Sequence, residues 1–97
     1  DMLAILSDAY ELTSDYKLEL VNEFGKVPYI ELNEKFYKDI NDFEKRFVNG
    51  IPSLKKCKSL IISADVYFEK NVEIIGDVKI TKDRKLENII LEDEDLN

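Results

Sequence analysis

LKKCKSLIISADVYFEKNVEIIGDVKITKD, residues 54 to 83, is built on a repeat of six. Leu54, Leu60, Val66, Val72 and Val78 fall six apart, and Ile62, Phe68, Ile74 and Ile80 follow the last four of them two places later. An Asx residue closes each of the last four units, at Asp65, Asn71, Asp77 and Asp83. A period of six matches neither the helical repeat of about 3.6 nor a simple hairpin meander. It suits short strands with two alternate residues inward and a corner at Ala64-Asp65, Lys70-Asn71, Gly76-Asp77 and Lys82-Asp83. Asp, Asn and Gly tolerate the left-handed or bridge backbone that such corners require. Stacked as a prism, these units predict a parallel β-helix with one continuous apolar core. Three sides of six make roughly eighteen residues per coil, and the five units then make about one and two-thirds coils. The competing reading is two or three ordinary strands whose spacing coincides.

Composition narrows the function classes. At 97 residues the chain is one small domain or a piece of a larger one. Apolar residues at 44% and charged residues at 36% are those of a soluble globular chain. No run approaches a membrane span, and no signal-peptide pattern opens the sequence, so the expected location is cytoplasmic, away from any membrane. A net charge of −7 argues against nucleic acid, whose phosphates demand a basic face. The single cysteine, Cys57, excludes an internal disulfide, and at a repeat position it reads as a packing or surface residue rather than a redox handle. Histidine is absent, which removes the usual general base, the Ser-His and Cys-His nucleophile pairs and the commonest zinc ligand. The three glycines, Gly25, Gly50 and Gly76, are too far apart to cradle a phosphate. The residues show no self-sufficient catalyst: no catalytic, substrate-binding or metal-ligating position is assigned.

Working outward, residues 1 to 12 predict a helix with Met2, Ile5, Leu6, Ala9 and Leu12 on one face, widened by Leu3 and Tyr10. So many apolar positions imply burial on two sides. A chain that opens inside such a run, without an N-cap, reads as a fragment. Tyr16 to Val21 and Val27 to Leu32 read as strands flanking a turn, with Pro28 confining the second to an edge or a start. Asn33 to Phe47 predict a second helix, N-capped by Asn33, with Phe36, Ile40, Phe43 and Phe47 as its buried stripe. Asn49-Gly50 and Pro52 stop it, and the repeat begins directly afterwards. Beyond Asp83 the register breaks, and Leu86 restarts the pattern two residues late. The acidic run Glu92 to Asp95 lacks the framing of a calcium loop and reads as a solvated tail or a charged blunting of the coil's open end.

Together these pieces carry a resemblance. Ser7, Asp8 and Tyr10 in the first segment match a Ser-Asp-x-Tyr element, and Val27-Pro28-Tyr29-Ile30-Glu31-Leu32 matches a Val-Pro-x-(Val/Ile)-x-Leu strand. Arg46-Phe47 followed by Ile51-Pro52 matches the end of an aromatic helix, and Ser63, Asp65, Val66, Phe68 and Val72 match a Ser-x-Asp-Val-x-Phe-x-x-x-Val stretch. In that order they resemble the C-terminal part of eukaryotic UTP–glucose-1-phosphate uridylyltransferases, across nearly the whole chain. The resemblance implies an α+β fragment, residues 1–50, ending a catalytic domain and connecting to a short left-handed parallel β-helix of hexapeptide type, residues 51–97. It implies a full-length, magnesium-dependent enzyme that makes UDP-glucose and pyrophosphate from UTP and glucose 1-phosphate. The glycine-rich nucleotide loop and the phosphate-binding lysine of the family lie upstream of what this chain matches, so no catalytic position carries over and the chain alone is expected to be inactive. Its implied partners are its own N-terminal catalytic domain and, through the β-helix, further copies in a homo-oligomer. Two departures, the shortened TKDRK connection and the acidic ending, fall where that oligomer contact would lie. Leu86, Ile89, Ile90 and Leu91 are the residues expected near it, the plain alternative being that they form the last side of the coil.

Three other readings stay open. An N-acetylglucosamine-phosphate uridylyltransferase would share this region. A hexapeptide-repeat acyltransferase would need a histidine base and many more coils. A non-enzymatic scaffold module would need a self-capped chain.

Overall fold

The computed structural model describes residues 2–97, so Asp1, the first residue of the expected helix, lies outside them. The chain opens with α1, Met2–Leu6, far shorter than the expected helix. Ser7 ends it: both its backbone N–H (3.2 Å) and its hydroxyl (2.7 Å) donate to the Ala4 carbonyl. Short polar side chains that bond the local backbone in this way compete with helix propagation. The remainder of that segment is instead β1, Tyr10–Leu12, paired antiparallel with β2, Leu18–Leu20. Of the expected apolar face, Met2, Ile5, Leu6 and Leu12 are exposed and Ala9 is buried, while Leu3, expected at its margin, is buried together with Ala4.

β3, Tyr29–Leu32, starts directly after Pro28 and lies at a sheet edge, where a missing N–H is tolerated. The expected second helix is two helices, α2 at Glu34–Tyr37 and α3 at Ile40–Phe47. Asn33 caps the first by accepting from Lys35 N at 2.8 Å. Asp39 caps the second, its extended backbone breaking the helix while its carboxylate accepts from Asp42 N at 2.9 Å. Of the expected aromatic stripe, Phe43 and Phe47 are buried, Phe36 is half-buried and Ile40 is exposed.

Six further strands follow: β4 Cys57–Ile62, β5 Val66–Phe68, β6 Val72–Ile80, β7 Arg84–Leu86, β8 Ile89–Glu92 and β9 Asp95–Leu96. The main sheet is parallel throughout, ordered β3-β4-β6-β8 with β9 beside the far half of β6, and β5 and β7 form a second parallel pair. This is an α/β fold with a parallel sheet, and the expected left-handed β-helix of hexapeptide type is corrected accordingly. Three features of the chain set the difference. β3, from outside the repeat, joins the main sheet with Ile30 opposite Leu60. β6 runs nine residues through the corner expected at Gly76-Asp77. The interval between facing corner residues shrinks from 18 at Ser59–Asp77 to 17 at Asn71–Asn88 and 16 at Asp77–Asp93, so no fixed period is kept.

The six-residue spacing does mark the buried positions. Leu54, Leu60, Val66, Val72 and Val78 are buried, as are Ile62, Phe68, Ile74 and Ile80, and they form one core with Leu86, Leu91 and the α3 phenylalanines. Phe47 joins helix to sheet by stacking on Phe68, centroids 5.1 Å apart. Side chains reach between facing corners: the Asp83 carboxylate accepts from Asp65 N and that of Asp93 from Asp77 N, both at 2.9 Å. Such bonds satisfy backbone groups where the strands stop.

Candidate functional site

Exposed large apolar side chains are distributed unevenly along this chain. Met2, Ile5, Leu6, Leu12 and Leu18 are exposed on α1 and the β1–β2 hairpin, whereas none between Ser53 and Asn88 is. The hairpin is also thin, each strand having only three residues. What anchors this N-terminal layer is polar. Asp8, just beyond α1, accepts from the Ser53 hydroxyl and, at 2.7 Å, from Leu54 N. One carboxylate thus fixes the α1 segment to the first residues of the β-rich half. Around it lies a cavity of about 360 Å³ bounded by Leu6, Ser7, Pro52 and Asn71.

A second tether is Asn22, which is buried. Its amide donates to the carbonyls of Leu54 and Cys57, each at 2.9 Å, and its oxygen accepts from Phe24 N at 2.9 Å. Every hydrogen-bonding group of that amide but one lone pair is used, which holds the loop following β2 against the start of β4. Neither Asp8 nor Asn22 is singled out by the sequence for this role; their signal is a polar residue inside an apolar segment, which spacing alone does not distinguish from a surface residue.

A third polar element joins α3 to β5. Arg46 is buried and donates from Nε to Asp65 Oδ1 at 2.9 Å and from its terminal nitrogen to the Asp42 carbonyl at 3.1 Å. Its guanidinium faces the rings of Phe36, Tyr37 and Tyr67 at 5.5, 5.5 and 5.0 Å. Burial alone would lower its pKa, but the hydrogen bond and charge of Asp65 outweigh that, and the pKa is raised. Tyr37 completes the group by donating to the Val66 carbonyl at 2.7 Å, and burial raises its pKa.

The chemistry of these groups is structural. Cys57 is fully buried, and burial, with the nearby Asp77 charge, pushes its thiol up to about 12, so little nucleophilic thiolate forms near neutrality. Tyr29 is raised by its hydrogen bond to Glu31 and by that carboxylate's charge. Among the described residues no group of three or more His, Cys, Asp or Glu side chains could hold a metal ion. The acidic run Glu92–Asp95 is exposed, and Asp95 takes part in β9. The four residues expected near an intersubunit contact separate: Leu86 and Leu91 are buried in the core, while Ile89 and Ile90 are exposed. Among the described residues no helix is long and apolar enough to cross a membrane.

Comparison with known proteins assigns this arrangement a family. Residues 1–75 match the family model described as UTP–glucose-1-phosphate uridylyltransferase. The chain is 33% identical to the enzyme of that name from Pyrus pyrifolia and 35% identical to that from Hordeum vulgare, over its whole length in both cases. It spans only 21% of either relative. Among solved structures, it superimposes on the UDP-glucose pyrophosphorylase of Leishmania major with a TM-score of 0.89 at 31% identity, covering 97% of this chain and 21% of that one. The UDP-glucose phosphorylase of Trypanosoma brucei gives 0.88 at 36% identity, covering 98% of this chain and 22% of that one.

Proposed function

Because the chain belongs to the UTP–glucose-1-phosphate uridylyltransferase family, we propose that it is the C-terminal part of an enzyme making UDP-glucose and pyrophosphate from UTP and glucose 1-phosphate. In this reading residues 1–50 close the catalytic domain and connect it to the β-rich domain of residues 51–97. Magnesium serves the reaction in the remainder of the enzyme, and the location is cytoplasmic. This chain supplies no catalytic group and is inactive alone; its work is to support and dock.

The observation that carries the reading is the run of exposed apolar side chains early in the chain. Met2, Ile5, Leu6, Leu12 and Leu18 gather on α1 and the hairpin, and the chain accounts for about a fifth of its relatives' length. Burying such a face against the catalytic domain would remove apolar area from water at roughly 25 cal/mol per Å². At the other end, β8 pairs on one side only, and Ile89 and Ile90 are exposed while Leu86 and Leu91 are buried. That edge is the proposed homo-oligomer contact, with the acids of residues 92–95 limiting its strength.

A split-enzyme experiment tests the proposal. The 97-residue chain is mixed with the remaining catalytic portion, and pyrophosphate release from UTP and glucose 1-phosphate is followed. Activity recovered only with both parts, and abolished by Ile5→Glu with Leu6→Glu, supports it. An equally active catalytic portion without this chain overturns the supporting role.

A further inference from the structure

We propose that the cavity between the Asn22–Tyr29 segment and the Cys57–Lys58 corner binds a small planar ring bearing an anionic group, of the chemical class of nucleotides and aryl phosphates. The cavity measures about 440 Å³, in the range of small-ligand sites. Its shape is held by protein bonds. Asn22 ties the loop to the Leu54 and Cys57 carbonyls, Glu23 N donates to the Lys55 carbonyl at 2.8 Å, and Gly25 turns the loop at φ +67°.

Two kinds of side chain then meet. Phe24, Val27 and Tyr29 form an apolar wall left 46–58% exposed, large rings among them. Lys26 and Lys58 are the charged residues of the lining, and among the described residues neither has an ion-pair partner. They place two ammonium groups beside these rings. Three acids lie nearby: Glu31 is engaged by the Tyr29 hydroxyl at 3.0 Å, which orients that ring, Asp77 accepts from the Ser59 hydroxyl at 2.6 Å, and Glu23 is in the loop itself. Ring-on-ring stacking and a phosphate shared by two ammonium groups are the complementary contacts. This site does not depend on the enzyme reading: it rests on residues of this chain alone.

The test uses the 97-residue chain and four probes: phenyl phosphate, uridine monophosphate, inorganic phosphate and phenol, followed by amide chemical shifts. The expected result is saturable binding of a ring phosphate with a Kd at or below about 1 mM, roughly tenfold tighter than phosphate or phenol. Shift changes should centre on Phe24–Tyr29 and Cys57–Lys58. The exposed substitutions Lys26→Glu with Lys58→Glu should weaken binding at least about tenfold. Tighter binding of uridine monophosphate assigns the nucleotide class, and tighter phenyl phosphate the aryl class. Absence of saturation, phenol binding as well as its phosphate, or shifts elsewhere overturns the site.

Discussion

Arg46 illustrates how a single side chain can unite helix and sheet at modest net gain. Its guanidinium is buried, yet the partner Asp65 keeps 31% of its side chain in solvent. Removing Arg46 therefore leaves a carboxylate that water can reach, and the cost falls below that of breaking a wholly buried pair. Arg46→Ala should lose roughly 2–3 kcal/mol, much of it from the three ring contacts, and Asp65→Asn about 1 kcal/mol. Urea unfolding of both variants checks the order; equal losses would show that the charge pair dominates over the rings. Cys57 carries the pH dependence at this scale. Its thiol ordinarily titrates near 9 and is pushed to about 12 by burial. For an acid raised on folding, stability is complete below the unfolded value and declines as pH climbs toward the folded one. The chain should accordingly weaken between pH 9 and about 12. Cys57→Ala should lose about 1 kcal/mol at pH 7 and show a shallower alkaline decline. Parallel pH-unfolding curves isolate this effect from lysine titration, and coincident slopes would exclude it.

The connection between α3 and the sheet depends on close backbone approach at Gly50. A Cβ there would press on the Glu69 carbonyl oxygen and stand 2.8 Å from its carbon, and backbone cannot swing away as a side chain could. Gly50→Ala should cost on the order of 2–3 kcal/mol and lower the melting temperature by roughly ten degrees or more. A thermal scan with unchanged midpoint would mean that the Asn49 turn shifts freely. The sequence marks Gly50 as a helix stop, and α3 does end at Phe47, but the proximity of Glu69 is a tertiary fact invisible to spacing. The same limit explains the helices. Asn33 was legible as a cap because an extended run precedes it, whereas Asp39 sits inside an apolar periodic stretch and its capping role is hidden there. At α1 the apolar residues surround the helix, so periodicity could not select the buried side, and Ser7 ended the helix before the pattern did.

At the scale of the molecule, spacing identifies which residues avoid water but not how many strands they share. All nine aliphatic and aromatic positions of the repeat are buried, yet the β-helix inferred from them is not the architecture, since β3 and the long β6 lie beyond what a local interval can encode. The exposed residues of α1 and the hairpin were partly legible in the excess of apolar positions before Leu12; Asn22 and the lysine-lined cavity left no periodic trace. This division of the fold predicts a gradient of local stability. β4 pairs with β6 along its length and buries Cys57, Leu60 and Ile62, while the β1–β2 hairpin has strands of three residues and is mostly exposed. Regions with few buried apolar contacts open at lower free energy than the core. Amides of Leu60, Ile62 and Val78 should exchange only at global unfolding, and those of Tyr10–Leu20 at least roughly a hundredfold faster, about 3 kcal/mol lower. If the hairpin docks on the catalytic domain, joining that domain should slow its exchange while leaving β4 and β6 unchanged, because the core already excludes water. Hydrogen exchange of the chain alone and within the longer enzyme measures both parts. A hairpin that stays equally fast in the longer enzyme would remove docking as the reason for its exposed leucines.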